Sequence, residues 1–306
     1  MNHIKEQIYL FCAVVLIHLV SSCTRYVTMT ELTEPFILPN GMHFVSIGVS
    51  NLLFCTTEVS NFQYTKFRPK HFTGNYHGYD LDSDNMPVAN VDWNEAVLFC
   101  RWLNKKYRSA IPYGYEIRLP TENEWRDASR CGDLDRVLLW GKTFPVEHGN
   151  FADISYLRAF PSIKATLSYN PKSPNVTEYN DGFAVACDVK IAVTNRFGIH
   201  GMFGNVCEWC YAYPGSADQG ESAVMDLGWS MGGESILYSI RGCNVAPCRF
   251  RKEDLGIRVV LVKQGAYLFR SYHEETLMRR RELNPDPHDW DDEDAIDEDD
   301  IDIDFQ

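Results

Sequence analysis

Between residues 41 and about 261 the apolar positions come in short bursts, each broken by Gly, Pro, Asn or Asp. Met42–Val49, Leu52–Cys55, Val185–Val189 and Ile257–Val262 are rich in β-branched and aromatic side chains and predict strands. Two stretches switch to helical spacing. Asp92 stands three residues before Glu95, and Trp93, Ala96, Val97, Cys100 and Leu103 then recur on one helical face. Thr121 stands three residues before Glu124, directly after Pro120, and Trp125 and Ala128 follow as the inward positions. Both are capping boxes, which satisfy free N–H groups at a helix start and imply no chemistry. From Trp140 to Gly201 the pattern is irregular. A loop-rich stretch of that length inside a compact domain is usually pinned by something and often carries function.

The pattern changes at both ends. Ile8–Val20 is an almost wholly apolar run of thirteen residues, followed by Ser21, Ser22 and Cys23. A membrane span needs about 20 residues, so the run suits the apolar core of a signal peptide. Val20-Ser21-Ser22-Cys23 resembles a bacterial lipobox, in which the cysteine becomes the acylated first residue. An ordinary secretory signal or an uncleaved anchor are the other readings, and all three export the chain. The expected organisation is a signal peptide over 1–22, lipidation at Cys23, a tether over 23–40 and a folded domain over 41–262. A C-terminal helix over 263–283 and an acidic, disordered tail over 284–306 follow. Thr24, where inner-membrane retention would favour Asp, leans towards an outer-membrane lipoprotein, so the expected partner at this end is the membrane itself.

Composition sharpens this picture. The 306 residues are 45% hydrophobic and 13% aromatic, which excludes global disorder. The net charge of −13 excludes a general nucleic-acid binder. Twelve carboxylates and no Lys or Arg lie in 284–306, so the rest of the chain is close to neutral. Trp290, Ile296, Ile301, Ile303 and Phe305 interleave the acids, which suits docking on a basic surface; Arg279–Arg281 is a candidate internal partner.

Ten cysteines are too few for a disulfide-built scaffold. Cys207 and Cys210 form a C-x-x-C, but a zinc site would need a second ligand pair, and only scattered His148 and His200 are present. Buried thiols are the expected reading there, with a disulfide to another cysteine next; Cys55, Cys100 and Cys187 read as small core side chains. No serine nucleophile elbow, phosphate loop or dinucleotide fingerprint is present.

Six segments, in order, carry a resemblance. They are Thr57-Glu58-Val59-Ser60-Asn61, Pro87-Val88 with Val91–Ala96, Arg118-Leu119-Pro120-Thr121-Glu122-Asn123-Glu124-Trp125, Phe197–Trp209, Met231-Gly232-Gly233 and Leu255-Gly256-Ile257-Arg258. Together they resemble the formylglycine-generating enzyme, or sulfatase-modifying factor, family. That resemblance implies an α+β domain related to C-type lectins, with short strands, two capped helices and long irregular loops around small sheets. It places Thr57–Asn61 on an early strand.

Catalytic members of that family oxidise a sulfatase cysteine with copper(I) held between two thiolates, because soft thiolates select Cu(I). Their pair falls shortly after the double glycine. Here Gly233–Tyr238 contains no cysteine. Cys243 and Cys248 have the family's mutual spacing but come late, so copper is not expected, and a core thiol or structural disulfide is the alternative for each. The resemblance also implies a bridge between the regions of Cys131 and Cys243.

Calcium is the expected ion, in a structural role. The resemblance places one site at Asn150, Phe151, Asp181 and Phe183, and a second at Asn205, Val206 and Glu208. Side-chain amides, carboxylates and main-chain carbonyls are the oxygen donors a hard divalent ion takes. The bland alternative for Asn150 and Asp181 is turn residues bonding their own backbone. The expected function is therefore a membrane-anchored, non-catalytic domain that binds protein partners through its surface or its acidic tail. By analogy it would act in a secretion or gliding complex of the envelope. The rival is a formylglycine-generating oxidase or related family enzyme.

Overall fold

The computed structural model describes residues 35–49, 51–131, 149–162, 179–212, 220–232 and 244–264. Two curled sheets carry the fold. The larger has five antiparallel strands: β1 (Phe36–Ile37), β2 (His43–Ser46), β3 (Leu52–Cys55), then β11 (Val260–Lys263) and β6 (Tyr115–Arg118) in that spatial order. The second orders β10 (Leu255–Gly256), β7 (Cys207–Cys210), β8 (Glu221–Met225) and β9 (Asn244–Pro247), with β10 parallel to β7. A small hairpin pairs β4 (Asn75–Tyr76) with β5 (Tyr79–Asp80).

Both faces of the larger sheet are covered, which explains the continuous apolar run Leu52–Cys55. Leu53, Cys55, Val259 and Leu261 face the main core, while Leu52, Phe54, Val260 and Val262 face a second cluster. The main core is closed by helix α2 (Trp93–Lys106), which buries Trp93, Ala96, Val97, Phe99, Cys100 and Leu103. The second is closed by α3 (Glu122–Arg130) through Trp125 and Ala128. Both predicted capping boxes form: Asp92 with Glu95 and Thr121 with Glu124. Asn104 ties α2 to β6, donating to the Ile117 carbonyl at 2.7 Å and accepting from its N–H at 2.8 Å. No helix among the described residues is long and apolar enough to cross a membrane.

Several expectations change. The sheet begins inside the stretch read as a tether, because Phe36–Ile37 pairs with β2 and Leu38 is buried. Met42–Val49 shortens to His43–Ser46. Thr57–Val59 is the link from β3 to a short helix α1 (Asn61–Tyr64) rather than a strand, and Ser60 caps that helix in a further box with Gln63. Another short helix, α4 (Ile154–Ala159), lies in the stretch read as irregular, capped by Asp153.

Val185–Val189 is buried but is not a strand. Side-chain amides bond part of its backbone: Asn150 donates to the Val185 carbonyl at 3.0 Å, and Asn205 bonds the Cys187 N–H and carbonyl at 2.8 and 3.2 Å, while the Val189 N–H donates to the Asn85 carbonyl at 3.0 Å. A buried segment needs its polar groups paired, and amide side chains meet that need as well as a neighbouring strand does. Ile257–Val262 is also not one strand. Residues 257–259 cross from β10 in one sheet to β11 in the other, and Arg258 sits at the crossing. The signal segment, Cys23, the helix expected over 263–283 beyond Gln264, and the acidic tail lie outside the described residues.

Candidate functional site

Two polar clusters sit side by side beneath the irregular loops. The first gathers around Arg258, whose side chain is fully buried. Its Nε donates to Glu208 Oε1 at 2.8 Å, and a terminal nitrogen lies 2.7 Å from the same oxygen. Its remaining N–H groups reach the carbonyls of Cys55, His200 and Gly201 at 3.2, 2.7 and 3.2 Å. Glu208 Oε2 accepts from Trp125 Nε1 at 2.5 Å. A second buried carboxylate, Glu58, lies 3.8 Å from Arg258 and accepts from Asn205 Nδ2 at 3.0 Å. Burial pushes Glu58 up to about 7, against the lowering effect of Arg258. Asp226, buried beside them, is pushed well above the carboxylate range by burial and then by Glu208.

Close backbone approaches hold this cluster. Gly201 has φ +60°, and a Cβ there would lie 2.3 Å from a Glu58 carboxyl oxygen. Gly204 has φ +84°, and a Cβ there would lie 2.3 Å from the Asn150 carbonyl oxygen. Only glycine meets both demands.

The second cluster is the loop site. Asp181 accepts from the N–H groups of Phe151 and Phe183 at 3.1 and 2.7 Å. Asp153 accepts from the N–H of Asp181 at 2.5 Å while capping α4 through Ser155 and Tyr156. Burial, and then the charge of Asp153, push Asp181 up to about 7, although its backbone bonds pull the other way. Asp153 is itself raised, chiefly by burial. No Lys or Arg pairs with either carboxylate among the described residues. Asn150, Asp181 and Phe183 line one open cavity of about 390 Å³, together with Tyr179 and Cys187. Asn150 is buried, and its Oδ1 has no hydrogen-bond partner.

Asn205 joins the two clusters. It has φ +70°, accepts from Asn150 Nδ2 at 3.1 Å and donates to Glu58.

The structure places Asn150, Asp181 and Phe183 on one cavity, with Phe151 and Phe183 donating to Asp181, and their oxygens are of the kind a hard cation takes. An orphaned buried amide oxygen and two carboxylates without a counter-cation are what such an ion would satisfy. No group of three His, Cys, Asp or Glu side chains suited to a metal occurs among the described residues, so an ion here would rest largely on amide and carbonyl oxygens.

The set Asn205, Val206 and Glu208 does not fit. Asn205 spends its amide on protein partners, Val206 is packed in an apolar cluster, and a guanidinium already sits on Glu208. A divalent ion there would meet a positive charge. Glu58, Asp153 and Arg258 were not among the expected site residues. The signal for Arg258 was present, since a lone charge inside the apolar run Leu255–Val262 demands a buried partner.

The described cysteines are buried. Cys207 faces the main core and Cys210 the second cluster, so the C-x-x-C points to opposite sides of β7 and is not a redox pair. Burial and nearby carboxylates push Cys207 well above the thiol range. Among the described cysteines, Cys55, Cys131, Cys187, Cys207 and Cys248 are free thiols. Cys243, and with it the expected pairing to Cys131, lies outside the described residues. Cys248 is buried in the main core, and burial pushes its thiol up to about 12.

Residues 25–263 match the family described as the sulfatase-modifying factor enzyme 1-like domain. The chain belongs to this family. Among curated relatives, the formylglycine-generating enzyme of Mus musculus is 30% identical over 129 residues, 42% of this chain and 28% of that protein. The inactive C-alpha-formylglycine-generating enzyme 2 of Bos taurus is 28% identical over 144 residues, 47% of this chain and 38% of that protein. The match thus spans about a third of the length of these relatives. Among solved structures, Treponema denticola variable protein 1 aligns over 74% of this chain and 93% of its own at 18% identity, with a TM-score of 0.48. PvdO from Pseudomonas aeruginosa aligns over 69% and 80% at 19% identity, with a TM-score of 0.47. The residues matched to the sulfatase-modifying factor domain, 25–263, include both sheets, the capped helices and the two polar clusters.

Proposed function

We propose that this sulfatase-modifying factor domain serves binding or assembly rather than thiol oxidation, on a chain exported and anchored through Cys23. The observation that carries the proposal is the state of the late sulfur. Cys248 is buried in the main core, its carbonyl accepting from the Trp93 N–H at 3.0 Å at the start of α2, and burial pushes its thiol up to about 12. A copper(I) site needs two thiolates presented to a substrate peptide. The sequence from Gly233 to Gly242 supplies no replacement. Relatives with both fates match this chain, one named as an enzyme and one named as inactive.

In this reading a calcium ion has a structural role. Asn150 and Asp181, with the main-chain oxygens of Phe151 and Phe183, would hold it. It would supply the positive charge that Asp181 and Asp153 lack, and so pin the loop running to Cys187. The lipobox-like start supports placement in a bacterial envelope, and membership of a secretion or gliding complex is the finer part of the proposal.

The test uses the mature protein. Titration with Cu(I) against a competing chelator should show no tight two-thiolate site, and a cysteine-containing sulfatase peptide should remain unmodified. Conversion of that cysteine to formylglycine would overturn the proposal in favour of the oxidase.

A further inference from the structure

We propose that the acidic segment 284–306 docks on this chain's own domain, at the basic and aromatic surface around the C-terminal end of α2. The inference is independent of whether the domain is catalytic. It begins from where the chain leaves the fold. The last hydrogen bond of β11 territory runs from the Gln264 N–H to the Gly114 carbonyl at 2.7 Å, and Lys263 pairs with Tyr115. The exit therefore lies beside the connection that follows α2.

Lys105, Lys106 and Arg108 stand exposed on that last turn and its connection, and Tyr113 is 90% exposed next to the exit. None of the three cations forms an ion pair among the described residues. Half-buried Trp102 continues the surface, with ring centroids 6.0 Å from Tyr107 and 5.8 Å from Phe67. Beyond it stand exposed Lys66 and Lys70, also without ion pairs, and Arg68, which lies 3.8 Å from Glu95. Glu95 itself is already held by Arg251 at 2.5 Å.

The segment is the chemical complement of this surface. It carries twelve carboxylates, no Lys or Arg, and the interleaved side chains Trp290, Ile296, Ile301, Ile303 and Phe305. Residues 265–283 separate it from the exit, and as the helix the sequence predicts they would reach about 28 Å. Tethering at that distance gives an effective concentration of about millimolar, so contacts too weak to hold a separate peptide suffice. The partial negative charge at the helix C-terminus opposes an anion. The three cations exceed it, and they stand within about one Debye length of any carboxylate resting on the surface. A docked segment would cover Tyr113 and Trp102 until a more basic partner draws it away.

Zero-length carbodiimide cross-linking of the full chain, read by mass spectrometry, tests this directly. Links from Asp and Glu of 284–306 should concentrate on Lys105 and Lys106, several-fold above exposed Lys190, and should vanish at about 0.5 M salt. Mixing isotope-labelled and unlabelled chains separates links within one chain from links between copies. Even spread over all lysines, or links only between copies, overturns the proposal. The variant Lys105→Glu/Lys106→Glu/Arg108→Glu changes only exposed side chains. Cleavage at Glu293 and Glu298 by a Glu-specific protease should become several-fold faster in it, and an unchanged rate also overturns the proposal.

Discussion

The Arg258 cluster and the Asp181 loop site lie one asparagine apart and solve the same problem in opposite ways. Each buries carboxylates under irregular backbone. In the first the protein supplies the cation, a guanidinium with its donors on Glu208 and three carbonyls. In the second no cation is supplied among the described residues, where Asp181 and Asp153 answer to backbone N–H groups and to each other. A charge is stable in a protein interior when paired and costly when alone. The first cluster is therefore complete as folded, while the second leaves its carboxylates without a counter-charge among the described residues.

Removing the built-in cation is the strongest way to break this comparison. Arg258→Met leaves Glu208 buried without a charge partner and should cost about 3–5 kcal/mol in urea unfolding. A loss under about 1 kcal/mol would mean that the guanidinium does not hold the cluster.

Adding the missing cation sharpens it. Calcium at about 100 times its Kd should stabilise the protein by about 2.7 kcal/mol, read as a rise in Tm, and Asp181→Asn should abolish most of that gain. The ion-free pH dependence has a defined sign. With its folded pKa raised from 3.8 to about 7, Asp181 keeps its proton where the unfolded chain has released it. Its contribution to stability therefore falls as pH rises from about 4 through about 7. Glu58, raised to the same region, gives a slope of the same sign, so the quantity to read is wild type minus Asp181→Asn. That difference should slope downward without calcium and flatten with it. Identical profiles would remove the loop site from consideration.

The smallest effect concerns the bridge. Asn205→Ala strands the Cys187 N–H and Glu58 Oε1 and removes one of the two bonds of Asn150 Nδ2, and should cost about 1–3 kcal/mol. It should also weaken calcium affinity, because Asn150 loses an orienting partner. Lost stability with unchanged affinity would show the two clusters to be energetically separate.

The parts of this molecule legible in the sequence were those governed by local rules. Asp92 and Thr121 cap helices because a side-chain oxygen and a glutamate three residues on satisfy nearby N–H groups, whatever the rest of the chain does. Leu52–Cys55 read as a strand because its run is apolar on both faces. The loop-site residues were legible only through their resemblance to a family pattern. Asp153 was missed because it looks like any helix cap until Asp181 folds back on it across 28 positions. Val185–Val189 misled because burial alone does not distinguish a strand from a loop whose backbone is bonded by asparagine side chains.

The sequence by itself therefore determined the capped helices, the apolar strands, the family and the unequal placement of charge. Only the tertiary structure decided which carboxylate receives a cation from within. Arg258 and Glu208 are fifty positions apart, and Gly201 and Gly204 make room for Glu58 and for the Asn150 backbone from still farther along the chain. Local propensity acts over a few residues, whereas desolvation and charge pairing depend on which distant groups are brought into the same dry space.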